Sequence, residues 1–355
     1  MLKNFWYACE FSSAITSKPK QIKLLNQEFV LYRNSQGQII AFKDRCPHRG
    51  AALSQGWSDR DCIRCPYHGW KFQADGACIE IPSNEDGELI PHKARLDAYP
   101  AQEKYGFVWL FWGDLPESEC RPLPSFPEIN KSTYRLVQTE LTSTAHYTRL
   151  LENHIDAIHP AFVHPTAFGS GLADNPRFSK FDLQMQDWGA TASFYNKKYL
   201  PKGFLWTYIS KLIPSEIKIT IAFHLPNIVC VDIDEGKLVV YLIPVPHDDN
   251  TATTKSILCR QFLTSAWADG IFRKLVLKAH QEDGQIVESQ HPKVMPHDLE
   301  EEVHVSSDAL SIAYRELLKK AIDMGWGIER KSRDAFNFAV RSPNWEKSKL
   351  SEVQK

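Results

Sequence analysis

The chain has no uninterrupted apolar run long enough to cross a membrane. A spanning helix needs about 18 or more apolar residues, and the two most apolar segments, residues 219–233 and 238–245, are shorter and contain proline. Both are predicted to be buried strands. Residues 1–11 also lack the apolar core of a secretory signal peptide. No transmembrane segment is therefore expected.

An excess of positive charge is also absent. The 42 basic and 43 acidic residues give a net charge of −1, whereas nucleic-acid-binding surfaces usually show a clear basic excess. No glycine-rich G-x-G-x-x-G fingerprint occurs, so a dinucleotide site is not expected in this chain. No nucleic-acid partner is predicted, and any NAD(P)H chemistry is expected to lie on a separate protein.

Disulfide-type cysteine spacing is missing as well. The sequence has 8 cysteines in 355 residues, and the ones without a regular pattern are Cys9, Cys62, Cys78, Cys120, Cys230 and Cys259. Disulfide frameworks are typical of small secreted domains and not of a chain of this size. These cysteines are predicted to be free thiols, and the cytoplasm, a reducing compartment, is the expected location.

The remaining two cysteines belong to a repeated Cys–His pattern. Cys46 and His48 form C-x-H, and after sixteen residues Cys65 and His68 form C-x-x-H. In a Rieske [2Fe–2S] cluster two cysteines bind one iron and two histidines bind the other, which fits one thiolate and one imidazole from each loop. Zinc is the alternative, although zinc motifs more often place two cysteines together. The glycines and prolines of both loops fit tight turns whose N–H groups face the cluster sulfurs.

A cluster of prolines marks a predicted domain boundary. Prolines at positions 116, 122, 124 and 127 fall within a short stretch of the chain, and proline at that density interrupts helices and central strands. Residues 1–115 are therefore predicted to form the first domain and residues 116–328 the second. Residues 329–355 are polar and are expected to fray as a C-terminal tail.

The two predicted domains differ in periodicity. The first contains short strand patterns, among them residues 21–33 and 38–43 with a hairpin turn between them, and is predicted to be all-β. The second contains strand patterns together with helical patterns at residues 145–159, 266–287 and 308–324. Ser307 and Gly325 are plausible caps of the last helix. The predicted fold class is α+β, with an antiparallel sheet packed on long helices in the second domain.

A second metal-binding pattern lies at the end of the first predicted helix. Asp156 and His159 are three residues apart and are expected to share a helix face. Pro160 is expected to end that helix, so that a short turn brings His164 to the same point. Two histidines and one carboxylate with open positions are typical of non-haem Fe(II) oxygenases. Taken alone, however, such histidines are often bonded to backbone carbonyls.

Together the two patterns are more specific than either one. An oxygen-activating iron needs electrons from outside its own site, and a Rieske cluster supplies them one at a time. The chain resembles the α subunit of Rieske non-haem iron oxygenases over nearly its whole length. It is similar to the trimeric monooxygenases and demethylases, including saxitoxin-pathway, chlorophyll-breakdown and vanillate-type enzymes. The resemblance implies a Rieske domain followed by a helix-grip (START-like) catalytic domain.

The resemblance also implies roles for the cluster residues and for two neighbours of the iron. Cys46 and Cys65 match the ligands of one cluster iron, and His48 and His68 match those of the other. Asp156 matches a carboxylate that bridges the two centres across a subunit interface, bonded to His159 and to the neighbouring chain's His68. Asn153 matches a position that lines the iron pocket.

The mononuclear iron ligands follow from the same comparison of patterns. His159 and His164 match the histidine ligands, and Asp283 matches the carboxylate ligand on a later helix. Glu282 and Glu288 are rival candidates for that carboxylate, and a solvated acidic helix face is the alternative interpretation. Trp70 and Tyr67 are expected to pack around the cluster and to exclude water from it, which would tune its reduction potential.

The implied function is that of a terminal oxygenase. A ferredoxin or flavin reductase passes electrons from NAD(P)H to the cluster, and O₂ is used to hydroxylate or oxidatively demethylate an apolar or aromatic small molecule. A head-to-tail homotrimer is expected, because the two metal sites of one chain are expected to be too far apart. Ring dihydroxylation is the alternative reaction, and a pure electron carrier is the alternative class. Residues 199–216 are predicted either to cover the substrate pocket or to pack in the core.

Overall fold

The computed structural model describes residues 1–116, 119–164, 179–197 and 216–328. The chain divides into two compact units, Pro124–Asp323 and a second one that combines Met1–Leu123 with the segment after residue 323. The predicted pocket cover at residues 199–216, apart from its last residue, and the tail at 329–355 lie outside the described residues.

The first unit is built from short antiparallel strands. They are β1 (Phe5–Phe11), β2 (Lys20–Leu24), β3 (Gln27–Arg33), β4 (Ile39–Lys43), β5 (Trp57–Asp59), β6 (Cys62–Arg64), β7 (Lys71–Phe72), β8 (Cys78–Glu80), β9 (Ala98–Tyr99), β10 (Ala101–Lys104) and β11 (Phe107–Trp112). They form three sheets with the orders β1-β11-β10, β2-β3-β4-β9 and β5-β6-β7-β8. The predicted all-β character of this part of the chain is confirmed.

The predicted hairpin between β3 and β4 is present, but the strand pattern at 21–33 is two strands. The N–H of Gly37 donates to the Asn34 carbonyl at 3.0 Å and closes the predicted turn. Leu25 and Asn26 separate β2 from β3, and both have positive φ, +53° and +62°. The prediction of one long strand was wrong because both residues adopt the left-handed conformation of a tight turn.

The strands anchor the two Cys–His loops in one apolar core. The first loop follows β4, and the second connects β6 to β7. Both loop cysteines are buried together with Leu53, Ile63 and Phe72. Packing in this core fixes the positions of the two cysteines, at which the exposed loops begin.

The second unit contains a single large antiparallel sheet among its described residues. Its strands are β12 (Arg135–Ser143), β13 (Ser179–Gln186), β14 (Gly189–Lys197), β15 (Glu216–His224), β16 (Ile228–Ile233), β17 (Leu238–Pro246) and β18 (Ala252–Arg260). The order is β12-β18-β17-β16-β15-β14-β13, so consecutive strands from β13 to β18 are neighbours and β12 closes on β18. This arrangement with helices packed on the sheet is the predicted α+β class.

The helix predicted at residues 145–159 is shorter than expected. Helix α1 covers Tyr147–Ile155, and Asp156 has extended backbone angles (φ −72°, ψ 127°). A second short helix, α2, covers Pro160–Val163, where proline stands at the first helical position. Pro160 thus begins a helix and does not end one. Asp156 and His159 lie in the connecting turn, so the expectation that they share a helix face was wrong.

Two longer helices complete the second unit. Helix α3 covers Asp269–Val287, and its Phe272 and Val276 are buried against Val137 and Leu258 of the sheet. Helix α4 covers Ala309–Ala321. The predicted apolar face of α4 is confirmed, because the buried residues include Leu310, Ala313, Tyr314, Leu317, Leu318 and Ala321.

The start of α4 differs from the predicted cap. Ser307 lies inside a 3₁₀ turn, Ser306–Asp308, and the side chain that caps the turn belongs to Asp308. Its carboxylate accepts the N–H of Val305 at 2.9 Å. A carboxylate near a helix N-terminus is favoured by the helix dipole, which explains why Asp308 takes this position.

Candidate metal centres

The first Cys–His loop is a tight turn closed by backbone hydrogen bonds. The N–H of Cys46 donates to the Ala51 carbonyl at 2.8 Å, and the N–H of Gly50 donates to the Cys46 carbonyl at 2.9 Å. Gly50 has φ +74°, which favours glycine. Burial raises the pKa of the Cys46 thiol to about 12, while the N–H groups of His48 and Arg49, directed at its sulfur, act in the opposite direction.

The second loop repeats this backbone pattern at equivalent positions. The N–H of Cys65 donates to the Trp70 carbonyl at 2.9 Å, and the N–H of Gly69 donates to the Cys65 carbonyl at 3.0 Å. Gly69 has φ +71°, and a Cβ at this position would approach the Pro82 ring to 3.1 Å. Glycine is therefore required both by the backbone conformation and by the close packing.

The two loops bring four suitable donor atoms together. The ring centroids of His48 and His68 are 4.7 Å apart, and the Cys65 thiol is close enough to raise the pKa of the Cys46 thiol. Nδ1 of His48 is buried and makes no hydrogen bond within the described part of the chain. Two buried thiols beside two imidazoles, one with an unused nitrogen, fit the ligand set of a [2Fe–2S] Rieske cluster.

Aromatic rings cover both histidines of this site. Trp70 stacks on His48 with centroids 4.5 Å apart and an interplanar angle of 4°. Tyr67 stacks on His68 at 3.9 Å, but 62% of Tyr67 is exposed. Trp70 therefore shields its histidine from water, as predicted, whereas Tyr67 leaves the outer side of His68 open.

A second group of side chains that could hold a metal ion lies in the other unit. One ligand atom each of His159, His164 and Asp283 lies within 4.8 Å of the other two. The Asp283 Oδ1 is 3.4 Å from the His159 Nε2 and 3.0 Å from the His164 Nε2. Two ligands that share one metal at about 2.1 Å and about 90° lie about 3 Å apart, so these separations suit a single ion.

Each histidine of this group is oriented by a hydrogen bond on its other nitrogen. The His159 Nδ1 is 3.0 Å from the Asp156 carbonyl oxygen, and the His164 Nδ1 is 2.9 Å from the Glu282 carboxylate. With the proton on Nδ1, both rings donate to these oxygens and present a bare Nε2 toward Asp283. Metal-binding histidines are held in this way in general.

Asp283 carries its charge in a buried position. Burial by itself raises the pKa of this carboxyl, but the imidazoles of His159 and His164 outweigh that effect and hold the pKa well below its usual range. Its Oδ1 is buried and lacks a hydrogen bond of good geometry among the described residues. A buried carboxylate oxygen that faces two imidazole nitrogens fits a divalent cation.

The two rival carboxylates, Glu282 on α3 and Glu288 directly after it, have other partners. Glu282 bonds His164 and supports a ligand of the group. Glu288 accepts the N–H of Thr144 at 2.8 Å. Within the described residues, Asp283 is the carboxylate that meets both histidines. Glu282 was predicted only as a rival metal ligand, whereas in the structure its carboxylate orients the His164 ring.

Asp156 closes the turn between α1 and α2. One oxygen of its carboxylate accepts the N–H groups of Ile158 at 2.5 Å and His159 at 3.1 Å. The expected bond between Asp156 and His159 thus joins the carboxylate to the backbone, and the His159 ring bonds the Asp156 carbonyl. Asn153 lies in the last turn of α1, and its buried Nδ2 has no hydrogen bond within the described chain.

Two further histidines lie behind the metal-binding group on α1 and α3. The His154 Nε2 is 3.3 Å from the Thr254 hydroxyl, and the His280 Nε2 is 3.1 Å from the Ser256 hydroxyl. Burial lowers the pKa of His154 to about 3 and that of His280 to about 4, so both are neutral near pH 7. His280 stands one helical turn before Asp283 on α3.

Sequence comparison finds two protein families in this chain. The profile of the Rieske [2Fe-2S] domain matches residues 5–100, and that of the vanillate O-demethylase oxygenase C-terminal domain matches residues 143–324. The first match spans both Cys–His loops and decides against zinc. The second contains the three side chains of the other metal-binding group.

Two characterised relatives show how far the similarity extends. The methylxanthine N1-demethylase NdmA of Pseudomonas putida is 29% identical over 362 residues, which covers 96% of this chain and 94% of NdmA. The toluene-4-sulfonate monooxygenase system iron-sulfur subunit TsaM1 of Comamonas testosteroni is 34% identical over 173 residues. That second alignment spans 48% of this chain and 49% of TsaM1, or about half of either protein.

Solved structures of related enzymes have the same fold. Dicamba monooxygenase bound to dicamba superimposes with a TM-score of 0.76 at 21% identity, over 92% of this chain and 99% of the other. NdmA of Pseudomonas putida with caffeine superimposes with a TM-score of 0.76 at 25% identity, over 95% of each chain. No helix in the described part of this chain is long and apolar enough to span a membrane.

Proposed function

The chain belongs to the Rieske oxygenases with a catalytic domain of the vanillate O-demethylase type, and on this premise we propose that it is the terminal component of a monooxygenase system. Its reaction is the hydroxylation or oxidative demethylation of an apolar or aromatic small molecule with O₂. The names of its relatives, which include an N-demethylase and monooxygenases, support this reaction class. Methyl-bearing aromatic and heteroaromatic compounds are the first substrates to test.

One observation carries the proposal. His159, His164 and Asp283 converge, within 4.8 Å, in a chain that also holds the two Cys–His loops. An electron carrier needs the cluster loops and has no use for a second set of buried metal ligands. Two histidines and one carboxylate leave positions open for O₂ at a non-haem iron. We therefore favour an oxygenase over a carrier.

We assign the residues of this chain to two metal groups. Cys46, His48, Cys65 and His68 hold the [2Fe–2S] cluster, and His159, His164 and Asp283 hold a mononuclear Fe(II). When bound, the cluster supplies single electrons and the mononuclear iron supplies oxygen activation. Asp156 is proposed as the carboxylate that links the two groups between subunits, and Asn153 as a group that lines the iron pocket.

The protein's own contribution at the mononuclear site is to prepare its ligands. The Asp156 carbonyl and the Glu282 carboxylate hold the protons of His159 and His164 on Nδ1, so that both Nε2 atoms stay available. Burial of His164 and Asp283 keeps water away from the ligand atoms. These hydrogen bonds also fix the ring planes, which supports metal affinity.

Other parts of the proposal concern the assembly and its surroundings. The oxygenase is proposed to act as a head-to-tail homotrimer and to take its electrons from a ferredoxin or flavin reductase. The cytoplasm is the proposed location, which agrees with eight cysteines that form no disulfide with one another. The proposed domain limits remain 1–115, 116–328 and 329–355.

A metal count and a substrate screen test the proposal. The purified protein is expected to contain about three iron atoms per chain, against about two for an electron carrier. With a reductase and NADPH, methyl-bearing aromatic compounds are screened by mass spectrometry for products that gain one oxygen atom or lose one methyl group. A product with two new hydroxyl groups would instead favour ring dihydroxylation. Two irons per chain and no O₂-dependent product would contradict the oxygenase assignment.

A further inference from the structure

A basic groove lies beside the first Cys–His loop. It encloses about 420 Å³ and is lined by Lys43, Arg45, Cys46, Pro47, His48, Arg49, Gly50, Arg95, Leu96 and Asp97. The lining contains four cationic side chains and one carboxylate. The whole chain has a net charge of −1, so this concentration of positive charge is local. We call these ten residues the basic groove.

The two arginines of the loop are available to a partner. Arg45 and Arg49 are exposed, and neither forms an ion pair with a carboxylate within the described residues. The carboxylate of the adjacent Asp44 is buried and directed at Ser54, from which it accepts the N–H at 2.7 Å and the hydroxyl at 2.6 Å. Arg95 is partly engaged, at 3.3 Å from Asp75.

Another part of the surface around His48 has a different character. A second groove of about 470 Å³ is lined by both His48 and His68 together with apolar residues such as Ile81, Pro82 and Leu89. Glu88 is the one charged residue in that lining, and no lysine or arginine contributes to it. The surface around the two imidazoles is thus divided into a basic side and a largely uncharged side.

The basic groove includes the first Cys–His loop itself. The side chain of Arg45 lies against Gly50, since a Cβ on that glycine would be 3.4 Å from the Arg45 Nε. Gly50 is bonded in turn to the Cys46 carbonyl. The positive charge of Arg45 therefore lies in the same loop as the proposed cluster ligands Cys46 and His48. A partner docked there comes close to His48.

We propose that the basic groove is the docking surface for an acidic electron-donor protein, with Arg45 and Arg49 as its main contacts. This inference rests on the proposed function, since it assumes that the cluster receives electrons from another protein. Carboxylates around the donor's redox centre pair with the arginines, and one electron passes from the reduced donor to the oxidised cluster. Complementary charge of this kind accelerates encounter and fixes orientation.

The test compares charge reversal in the groove with charge reversal elsewhere. The probe is a plant-type [2Fe–2S] ferredoxin of net negative charge, chemically reduced beforehand. The double variant Arg45→Glu/Arg49→Glu is expected to lower its rate of cluster reduction at low salt about tenfold or more. Arg45→Gln/Arg49→Gln is expected to give a smaller loss. The control Lys18→Glu/Arg60→Glu changes the same amount of charge at exposed positions outside the groove and is expected to stay within about twofold of the wild type.

Three further measurements separate docking from other effects. Dithionite is expected to reduce the cluster completely in every groove variant. The reduction potential of each variant is measured as well, because charge beside a cluster shifts its potential, and the loss of ferredoxin-dependent rate is expected to exceed the loss that this shift explains. Donor affinity, measured by biolayer interferometry, is expected to fall with rising salt in the wild type and to lose most of that dependence in the double variant.

Three results would overturn the inference. They are equal ferredoxin-dependent rates in the wild type and the double variant, no reduction of the wild type by this ferredoxin at low salt, and loss of the oligomer in the double variant. The last result would assign the groove to contacts between copies of the chain. Cluster reduction is measured without substrate, so a failure to find any oxygenation product would contradict the proposed function and leave the docking result intact.

Discussion

Neighbouring residues with the same chemistry take different positions at this site. Glu282 and Asp283 are both acidic and adjacent in sequence, yet Asp283 faces two imidazole nitrogens and Glu282 bonds the far side of one imidazole. On a helix, consecutive side chains point about 100° apart, so their targets differ. Two adjacent residues of α3 can therefore differ in role, with Asp283 facing the candidate metal position and Glu282 orienting His164.

The two acidic residues should respond differently to substitution. Asp283→Ala is expected to lose the mononuclear iron and to keep the visible spectrum of the Rieske cluster. Glu282→Gln keeps a hydrogen-bond acceptor for His164 but loses the charge, so metal affinity should fall about 10–100-fold. Iron content and Fe(II) titration measure both effects. Wild-type iron content in Asp283→Ala would place the ligand elsewhere.

Asp156 combines a local bond with its proposed role between subunits. Asp156→Ala is expected to leave both metal groups largely loaded and to abolish coupled turnover, and it also removes the cap of the turn before α2. Asp156→Asn keeps an oxygen for the N–H groups of Ile158 and His159, and it removes the charge. If both variants lose substrate-coupled O₂ consumption while iron content stays high, the bridge is supported. Retained steady-state activity in either variant would refute it.

At the scale of elements, the site depends on how α1 and α3 rest on the sheet. Each helix places one neutral histidine on a hydroxyl of β18, at Thr254 and Ser256. These residues are two apart on one strand and point to the same side. Both helices beside the candidate metal site are therefore positioned by contacts with the same strand.

The neutral histidines make stability depend on pH. The folded-state pKa values are about 3 for His154 and about 4 for His280, below the value of about 6.5 expected in the unfolded chain. The unfolded chain then binds more protons between about pH 4 and about pH 6.5, so the free energy of unfolding falls as the pH is lowered through that window.

Replacing one of these histidines isolates its share of the pH effect. His280→Gln is expected to flatten the decrease of the unfolding free energy between pH 6.5 and 4, as measured by urea unfolding at several pH values. An identical slope in His280→Gln would show that this histidine is already protonated, or solvated, in the folded state.

A buried ion network ties α1 to α4. Arg315 contacts Glu152 and Glu302, both at 2.5 Å, and Arg149 contacts the same two carboxylates at 2.9 and 2.7 Å. The two arginines are almost fully buried. Glu152 precedes Asn153, so this network fixes the part of α1 that leads to the metal-binding turn.

Breaking this network should cost far more than breaking an exposed pair on the same helix. Arg315→Met leaves two partly buried carboxylates short of a partner, and a loss of about 3–5 kcal/mol in unfolding free energy is expected. Lys319→Met removes an exposed pair with Asp323 and should cost less than about 1 kcal/mol. Thermal and urea unfolding compare the two. Similar losses in both variants would mean that the buried network adds little.

At the scale of the whole molecule, the proposed function requires more than one chain. The cluster loops belong to one compact unit and the mononuclear ligands to the other. In the proposed head-to-tail ring, the cluster of one subunit serves the iron site of the next. The site in each chain is then completed by a neighbour.

Mixed oligomers test this arrangement directly. Cys46→Ser is expected to remove the cluster, and His164→Ala to remove the mononuclear iron, so neither variant alone should be active. Co-expression of the two differently tagged chains, followed by purification through both tags, should restore substrate-dependent product formation. Activity would then come from an intact cluster in one subunit and an intact iron site in its neighbour. Mixed oligomers without activity would contradict electron transfer between subunits.

Local spacing along the chain encodes the types of donor atom and the turns that present them. The two Cys–His loops, their turn glycines and the His159–His164 pair each lie within a few residues, so their donor types and turns could be predicted before any tertiary contact was known. Strand and helix periodicity likewise predicted the α+β class. Proline at position 160 misled the prediction, because proline can begin a helix as readily as it ends one.

Which distant groups meet depends on the folded structure. Glu282 lies 118 residues after His164, and no local pattern states which of the three acids at positions 282, 283 and 288 turns toward the histidines. Packing of α3 on the sheet sets the rotation of that helix, and this rotation selects Asp283 and places Glu282 behind His164. The same holds for the basic groove, where residues 43–50 and 95–97 form one surface. Side-chain type is written in the sequence, but mutual distance depends on how the apolar faces are buried.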